Sequence, residues 1–261
     1  MHLTWLRSDL RVTDNTALSA ASERGPTLAL WLISPGQWQA HDDAACKVDF
    51  WLRNLREVRQ SLDALNIPLL IRTIDTWDDA PQAVLDVCRK HHVQSVHWNE
   101  EYGINEARRD TATRQLLEAS EVQVHSHLDQ LLFRPGTVLT RSGGYFQVFG
   151  QFKKNCLEHL HRSLPSMASP VKRQAPTSIK SDPIAHHVDP FEKPADALRK
   201  HWPAGEQEAQ ARLARFTDEV IDDYETLRDL PAREGTSQLS AYLAAGVISP
   251  RQCLHAALAH N

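Results

Sequence analysis

The sequence has 261 residues, of which 41% are hydrophobic and 24% charged, and its formal net charge is −4. This length allows one large or two ordinary domains with a real core, and the composition excludes a disordered chain. A chain that grips DNA by itself is expected to be basic, so contact with nucleic acid would need a local patch or a further segment.

Membrane, disulfide and metal-site classes are not predicted. No stretch approaches the roughly eighteen uncharged apolar residues of a membrane span, and the charged N-terminal segment is typical of a buried strand, so we expect a cytosolic protein. The four cysteines are scattered, which favours small buried residues over disulfides or a zinc site. Fourteen histidines lack a carboxylate or cysteine at ligand spacing, and no metal is expected.

The first 130 residues alternate between two periodicities. Strand-like runs occupy residues 2–6, 27–33, 68–74, 95–98 and 121–125. Helical patterns lie between them, at residues 47–66, from Pro81 to about residue 90, and from near Asn105. This alternation predicts an α/β fold, a Rossmann-like parallel sheet of five strands flanked by helices.

The predicted sheet lacks the usual nucleotide motifs. No GxGxxG follows the first strand and no Walker sequence is present, so an ordinary dinucleotide or ATP site is not predicted. Ligands of open parallel sheets still tend to lie beyond the carboxyl ends of the strands. The residues just past the strands are therefore candidates for a site.

The last third of the chain changes character. Residues 161–194 are rich in proline and lack periodicity, which predicts a connection wrapped on the surface. Helical patterns follow at residues 195–200, 206–227, 239–245 and 250–259. Gly246 is expected to end the third of these helices, and Ser249 with Pro250 to begin the fourth.

Small hydroxyl residues precede the third helical pattern. Gly235, Thr236 and Ser237 lie directly before an apolar stripe that includes Leu239 and Tyr242. Unpaired N–H groups at a helix start carry positive partial charge, and glycine with hydroxyls lets phosphate oxygens come close. The same residues are also favoured plain N-caps, so this turn alone leaves both interpretations open.

Two motifs follow fixed spacings. Residues 7–18 match R-x-D-L-R-x-x-D-N-x-A-L, and residues 224–240 match Y-x-x-x-R-D-x-P-x-x-x-G-T-S-x-L-S, followed by G-x-x-S-P-R at 246–251. Both resemble the DNA photolyase/cryptochrome family, most closely the bacterial folate-type photolyases of cyclobutane pyrimidine dimers. Residues 146–155 resemble the segment that leaves the family's α/β domain. The resemblance covers the whole chain.

The resemblance implies a domain organisation and a light-driven reaction. Residues 1–130 would form the α/β antenna domain, extending to about residue 160, residues 161–194 the interdomain linker, and residues 195–261 the incomplete first part of a helical FAD-binding domain. In the family, excited reduced FAD passes an electron to a flipped-out pyrimidine dimer and splits it, and the protein sets the geometry. The implied partner is UV-damaged DNA, bound by the full-length protein, a monomer of the bacterial cytoplasm.

The same resemblance implies cofactor residues. The segment that matches the first FAD-binding segment comprises Tyr224, Thr236, Ser237, Gln238, Leu239 and Ser240. Gln238 stands where an arginine is common, so weaker phosphate contact is expected. Asn105 and Glu106 match the pair that hydrogen-bonds the pterin of a methenyltetrahydrofolate antenna, a chemistry that an amide and a carboxylate suit. As alternatives, Tyr224 could be a packed surface aromatic, and Asn105 and Glu106 ordinary first-turn residues.

The remaining charged candidates are expected to be structural. Arg7, Asp9, Arg11 and Asp14 predict an ion-pair network just past the first strand. Lys153 and Lys154 could touch DNA phosphate, although a solvated helix face is favoured. We expect no catalytic residue in these 261 residues, and no repair and poor FAD binding by them alone. A cryptochrome without lyase activity, or a nucleotide-binding or electron-transfer module, remains an alternative.

Overall fold

A computed structural model describes residues 1–260. Five parallel strands form one sheet in the order β3-β2-β1-β4-β5. The strands are β1 His2–Trp5, β2 Thr27–Ile33, β3 Leu69–Thr73, β4 Ser95–Asn99 and β5 Gln123–His127. This confirms the predicted α/β fold.

Six helices lie between or after the strands in the first 162 residues. They are α1 Thr16–Arg24, α2 Pro35–Ala40, α3 Ala45–Ala64, α4 Ala80–His91, α5 Ile104–Ala119 and α6 Phe149–Arg162. The predictions of α3, α4 and α5 are confirmed. The sequence analysis missed α1, which is rich in alanine and serine and therefore has little apolar periodicity, although Asn15 caps it by accepting from the Leu18 N–H.

Two apolar cores lie on opposite faces of the sheet. One core contains α4 and α5 side chains, and the other contains α3 together with residues of the C-terminal helices. Phe50 of α3 meets Tyr242 edge to face at 5.4 Å, and the Tyr242 hydroxyl donates to the Pro203 carbonyl at 2.7 Å. The C-terminal helices are therefore packed directly on the α/β unit.

The proline-rich connection runs along the exposed edge of the sheet. Ser181 and Asp182 form hydrogen bonds with the backbone of β3: the Leu69 N–H donates to Ser181 Oγ, the Asp182 N–H to the Leu69 carbonyl, and the Ile71 N–H to the Asp182 carboxylate, at 3.1, 2.8 and 2.9 Å. These contacts satisfy backbone groups that an edge strand otherwise leaves open.

The C-terminal helices predicted at residues 195–200 and 250–259 are confirmed, whereas those predicted at 206–227 and 239–245 are shorter in the structure. The observed helices are α7 Asp196–His201, α8 Glu206–Arg215, α9 Tyr224–Leu227, α10 Ser240–Ala244 and α11 Pro250–His260. The prediction of a single helix over residues 206–227 was wrong, because a π-helical turn, Phe216–Val220, and a 3₁₀ turn, Ile221–Asp223, interrupt it. The Thr217 hydroxyl donates to the carbonyls of Leu213 and Ala214, a contact that loosens helical pairing at this point.

The described residues, 1–260, bear on the expectations about membrane spans, metal sites and cysteines. Within them, no helix is long and apolar enough to cross a membrane, and no group of three histidine, cysteine or acidic side chains is placed to hold a metal. All four cysteines are free, but only Cys88 is buried, and Cys46 is exposed at the start of α3. The expectation that every cysteine is buried was therefore wrong for Cys46, and Cys156 and Cys253 are half-buried.

Candidate functional site

A cavity opens at the carboxyl end of the sheet. The strand order reverses direction between β1 and β4, and such switch points are where open α/β sheets bind ligands. Five of the chain's seven tryptophans line this cavity, together with Arg7, Glu101 and Arg109. They are Trp5, Trp31, Trp38, Trp51 and Trp77. We call this the sheet-edge cavity, and its aromatic walls suit a flat ligand.

The charges in the sheet-edge cavity compensate one another. The guanidinium groups of Arg7 and Arg109 lie 4.9 and 5.1 Å from the Trp5 ring centroid. Glu101 accepts from Arg109 at 2.7 Å and lies 3.8 Å from Arg7. Burial alone would raise the pKa of Glu101, but the two arginines outweigh burial and hold this pKa at about 2. The carboxylate is therefore ionised and keeps both arginines over the aromatic wall.

The first turn of α5 places both folate candidates at this cavity. Glu106 lines it, and its carboxylate folds back over Gly103 so closely that a Cβ on Gly103 would collide with it. Asn105 is exposed on the rim, where its amide nitrogen lies 3.2 Å from the His41 ring nitrogen. His41 packs edge-on against Trp77 at 5.1 Å.

Sequence reasoning missed His41 because it missed α2, the helix that ends next to it. The signal was available: Ser34 follows the end of β2, and Pro35 occupies the first helical position. A helix that begins there brings His41 to the edge where the strands end.

The expected ion-pair network in the loop after β1 is confirmed for Arg7, Arg11 and Asp14, whereas Asp9 is held by hydrogen bonds and forms no ion pair within residues 1–260. Asp9 is buried and accepts from the Arg7 N–H and from the Asn99 amide, both at 2.6 Å. Burial raises the pKa of Asp9. Arg7 pairs with Asp110 of α5 at 2.7 Å. This half of the network ties β1 to the start of α5.

The other half of the network joins the α/β unit to α11. Asp14 accepts from Arg251 Nε at 3.0 Å and also from the Ser249 hydroxyl. Arg251 donates to Asp129 at 2.8 Å, and Asp129 accepts from Arg11 as well. The two arginines and two aspartates are all buried, so their charges balance inside the protein. The sequence analysis gave no such role to Asp129 or Arg251.

Gly246 does more than end α10. Its φ is +65°, and a Cβ at this position would collide with the backbone of Ser8 and Asp9. Arg11 donates to the Gly246 carbonyl at 3.0 Å. The close approach of two backbones therefore requires glycine here.

The phosphate-cradle candidate has a different geometry from the predicted helix start. Helix α10 begins at Ser240, and Leu239 occupies the N-cap position without a side-chain cap bond. Gln238 is left-handed at φ +50°, while Leu239 is right-handed at φ −93°, ψ −4°. Alternating hands of this kind form a backbone nest, a concavity that binds anions. Within residues 1–260 the N–H groups of Gln238, Leu239 and Ser240 meet no hydrogen-bond acceptor.

This nest borders a second cavity, which we call the interhelical cavity. Its volume is about 550 Å³, and it lies between the β1 loop, the π-helical turn and α11. Ser237 and Leu239 line it, whereas Thr236 and Ser240 are exposed beside it. Gln238 accepts a hydrogen bond from Arg212 of α8 at 2.9 Å.

The structure does not bring Tyr224 to the interhelical cavity. Tyr224 packs edge-on against Phe216 at 5.7 Å, and Phe216 is the residue that lines the cavity. The Arg228 guanidinium lies 5.7 Å from the Tyr224 ring centroid. Lys153 and Lys154 are exposed on α6, as expected of a solvated helix face.

Comparison with known proteins identifies the family. The sequence profile of DNA photolyase matches residues 2–171. The chain belongs to the DNA photolyase family. A deoxyribodipyrimidine photo-lyase of Vibrio cholerae is 36% identical over 97% of this chain and 54% of its own length. The chain thus spans about half the length of three curated photolyases that it matches.

Solved photolyases share the fold. A class III photolyase from Agrobacterium tumefaciens superposes with a TM-score of 0.81 at 30% identity, covering 98% of this chain and 52% of that one. A second structure is that of an archaeal photolyase from Sulfolobus tokodaii with two FAD molecules. It superposes with a TM-score of 0.69 at 21% identity, and the match covers 97% of this chain and 54% of the archaeal chain. The second likeness concerns the fold alone.

Proposed function

We propose that the protein acts in light-dependent DNA repair, splitting cyclobutane pyrimidine dimers by electron transfer from excited reduced FAD. Its α/β unit would hold a folate antenna, and its C-terminal helices the first part of the flavin site. The kinship with deoxyribodipyrimidine photo-lyases supports the reaction class. The single observation that carries the flavin site is the nest of unpaired N–H groups at residues 238–240 beside the interhelical cavity.

The residues at the nest fit a dinucleotide. The N–H groups of Gln238, Leu239 and Ser240 would bind pyrophosphate oxygens, and the Ser237 hydroxyl can donate from the cavity wall. Thr236 lies on the same turn, and Tyr224 would act through Phe216. When bound, FAD supplies the light-driven electron, while the chain's own residues bind and orient it.

The sheet-edge cavity fits a planar antenna chromophore. Its tryptophan walls can stack on a pterin, and Glu106 offers a carboxylate to the N–H donors of an aminopyrimidine edge. Asn105 supplies a donor and an acceptor on the rim, beside His41. These features support methenyltetrahydrofolate as the proposed antenna.

UV-damaged DNA is the proposed substrate of the whole protein. The net charge of −4 gives these 261 residues no general attraction to DNA, so the contacts would come from a local surface. We propose no catalytic residue among them, because the electron comes from the flavin.

Survival after ultraviolet irradiation tests the proposed reaction. The gene, at its native length, is expressed in a bacterial strain that lacks photolyase, and colonies are counted after irradiation with and without blue light. We expect light to increase survival severalfold in cells that carry the gene and not in cells with an empty vector. Folded, chromophore-containing protein that gives no light-dependent survival would contradict the repair function and favour the cryptochrome alternative.

Spectra of the 261 residues test the two cofactor sites separately. The purified protein is mixed with methenyltetrahydrofolate or with FAD and then gel-filtered. We expect a retained pterin band and weak flavin retention, and no dimer splitting by these residues alone on irradiated oligothymidylate. Loss of all pterin absorbance in the filtered protein would refute the antenna assignment.

A further inference from the structure

We infer that Arg212 is a positioning residue for the phosphate nest, because it holds Gln238 in the left-handed conformation that the nest requires. The inference rests on the proposed function for its ligand, FAD. The geometry itself is a property of the chain: Arg212 Nη1 donates to Gln238 Oε1 at 2.9 Å. Within residues 1–260 this is the one hydrogen bond that the Gln238 side chain makes.

Gln238 needs such a partner. Its φ of +50° lies in the left-handed region, where a side chain crowds the following carbonyl. Glycine enters this region freely, and asparagine and aspartate do so with help from local hydrogen bonds. A glutamine has a longer side chain without that local bond, so a tertiary contact can stabilise its conformation.

Arg212 is well placed to be a fixed partner. Its guanidinium lies 4.8 Å from the Trp202 ring centroid and 5.4 Å from that of Tyr242, and it also donates to the His201 carbonyl. Tyr242 is buried in the core. Planar stacking and several donors in one rigid fork are what distinguish arginine from lysine here.

The hydrogen bond between Arg212 and Gln238 acts on the backbone of the nest and not on the ligand directly. Ser237 and Leu239, on either side of Gln238, line the interhelical cavity, but neither Gln238 nor Arg212 does. Arg212 therefore acts on a phosphate through the backbone conformation of Gln238. A change at Arg212 should affect binding only while residue 238 needs help to remain left-handed.

The pairing also accounts for the departure from the family pattern. The resemblance places an arginine at position 238, where this chain has glutamine. The structure shows the cation on the other side of the pair, on α8. The double substitution R212Q/Q238R exchanges the two side chains and should preserve a donor and an acceptor across the same gap. It should therefore serve as well as the natural pair.

A set of matched variants tests this inference. The set contains R212Q, the exchange R212Q/Q238R, Q238G, R212Q/Q238G and the control R215Q. Arg215 lies on the same helix and pairs on the surface with Glu234, in the loop before the nest, so R215Q removes a charge from the same region without touching Gln238. Each variant is made in the protein at its native length and titrated with FAD by flavin fluorescence and, separately, with inorganic pyrophosphate by calorimetry. The melting temperature of each variant is recorded for the 261-residue chain.

We expect R212Q to weaken FAD and pyrophosphate binding by about fivefold, the size of one lost hydrogen bond. The exchange variant should bind both ligands with an affinity within about twofold of the natural protein, and so should R215Q. Glycine at position 238 needs no help, so R212Q should have no further effect on the affinity measured for Q238G. Equal losses from R212Q with the natural glutamine and in the Q238G background would overturn the inference.

Failure of the proposed function gives a different result. If the protein at its native length binds neither FAD nor pyrophosphate, the flavin assignment falls, and the melting temperatures decide about Arg212. A decrease of about 2–4 °C for R212Q with the natural Gln238, absent in the Q238G background, would keep the positioning role. The same decrease in both backgrounds would show that Arg212 serves α8 alone and would refute it.

Discussion

The two proposed ligand sites, the sheet-edge cavity and the nest at residues 238–240, are built in different ways. The cavity is built from side chains on strand ends, where every charge near Trp5 has a partner. The nest is built from backbone, and its one strained residue, Gln238, is held by a single hydrogen bond. The first site should therefore be sensitive to side-chain chemistry, and the second to conformation.

The two regions share one buried junction. Asp14, Asp129, Arg11 and Arg251 join the loop after β1 to the start of α11, and Gly246 packs on the backbone of that loop. Residues of this loop border both cavities. Damage at the junction should therefore affect both sites, whereas damage in one site should leave the other intact.

The largest effect is expected for Asp14→Asn. The substitution keeps the shape but leaves the Arg251 guanidinium in the interior without one of its carboxylates, which typically costs about 3–5 kcal/mol. Urea unfolding measures the free energy, and both ligand titrations should weaken together. The control Asp196→Asn breaks an exposed pair with Lys193, away from both cavities, and should cost about 0.5 kcal/mol or less. Equal costs for the two variants would mean that the junction is not a buried charge cluster.

Gly246→Ala should have the next largest effect and lower the free energy of unfolding by about 3 kcal/mol. The added methyl meets the backbone of Ser8 and Asp9, in addition to the cost of a side chain at positive φ. Gly136→Ala is the matched control, because Gly136 has φ +82° with nothing within 4 Å of a new Cβ, and its expected cost is about 1 kcal/mol. Thermal melts compare the two. Equal losses of stability in the two variants would show that the backbone of residue 246 does not approach that of Ser8 and Asp9 as closely as described.

Acid should destabilise the α/β unit through His97. Burial, followed by the proximity of His127 and His125, lowers the pKa of His97 from 6.5 to about 3 in the folded protein. Arg24 and His2 also face this group. The unfolded chain therefore binds more protons below pH 6.5, and stability falls as the pH falls from 6.5 toward 3.

His97→Gln should make the free energy of unfolding less dependent on pH. The slope between about pH 6.5 and 5 should decrease by at most about 1.4 kcal/mol per pH unit, the contribution of one proton. This window lies above the range in which Glu101, with its pKa of about 2, begins to lose its charge. Urea titrations at several pH values give the slope, and identical slopes for the variant and the natural protein would exclude His97 as the source.

The smallest effect is expected for Glu106→Gln. An amide in place of the carboxylate keeps the size but offers a weaker acceptor, so binding of methenyltetrahydrofolate should weaken by about tenfold, or about 1.4 kcal/mol. Glu118→Gln, on the exposed end of the same helix, is the control and should leave binding unchanged. Absorbance titration measures both. FAD binding at the nest should not respond to either change, which sharpens the contrast between the two sites.

The fold and the sheet-edge cavity could be predicted because their signals are local. Apolar runs marked β2 and β3, and the rule that ligands lie past strand ends pointed to the right edge. His41 was missed with α2, which has only six residues and little periodicity. Glu106 and Asn105 came from the resemblance, and the structure places both at the cavity without testing their role.

The nest and the junction could not be predicted in detail because their determinants are distant in sequence. The sign of φ at Gln238 depends on Arg212, and the need for glycine at position 246 depends on the loop after β1. Thr217 interrupts α8 through its hydroxyl, which no apolar pattern reveals. Gln238 departs from the family motif, and its hydrogen-bond partner, Arg212, lies on another helix. A comparison of the motif alone does not include that helix.

Amide chemical shifts of the ¹⁵N-labelled protein during FAD titration test the flavin site most directly. The backbone amides of Gln238, Leu239 and Ser240 should move first and farthest, while the indole signals of Trp31 and Trp38 in the sheet-edge cavity stay in place. Shifts confined to the tryptophans, with the three amides unmoved at saturating FAD, would contradict the assignment of the nest to the cofactor's phosphates.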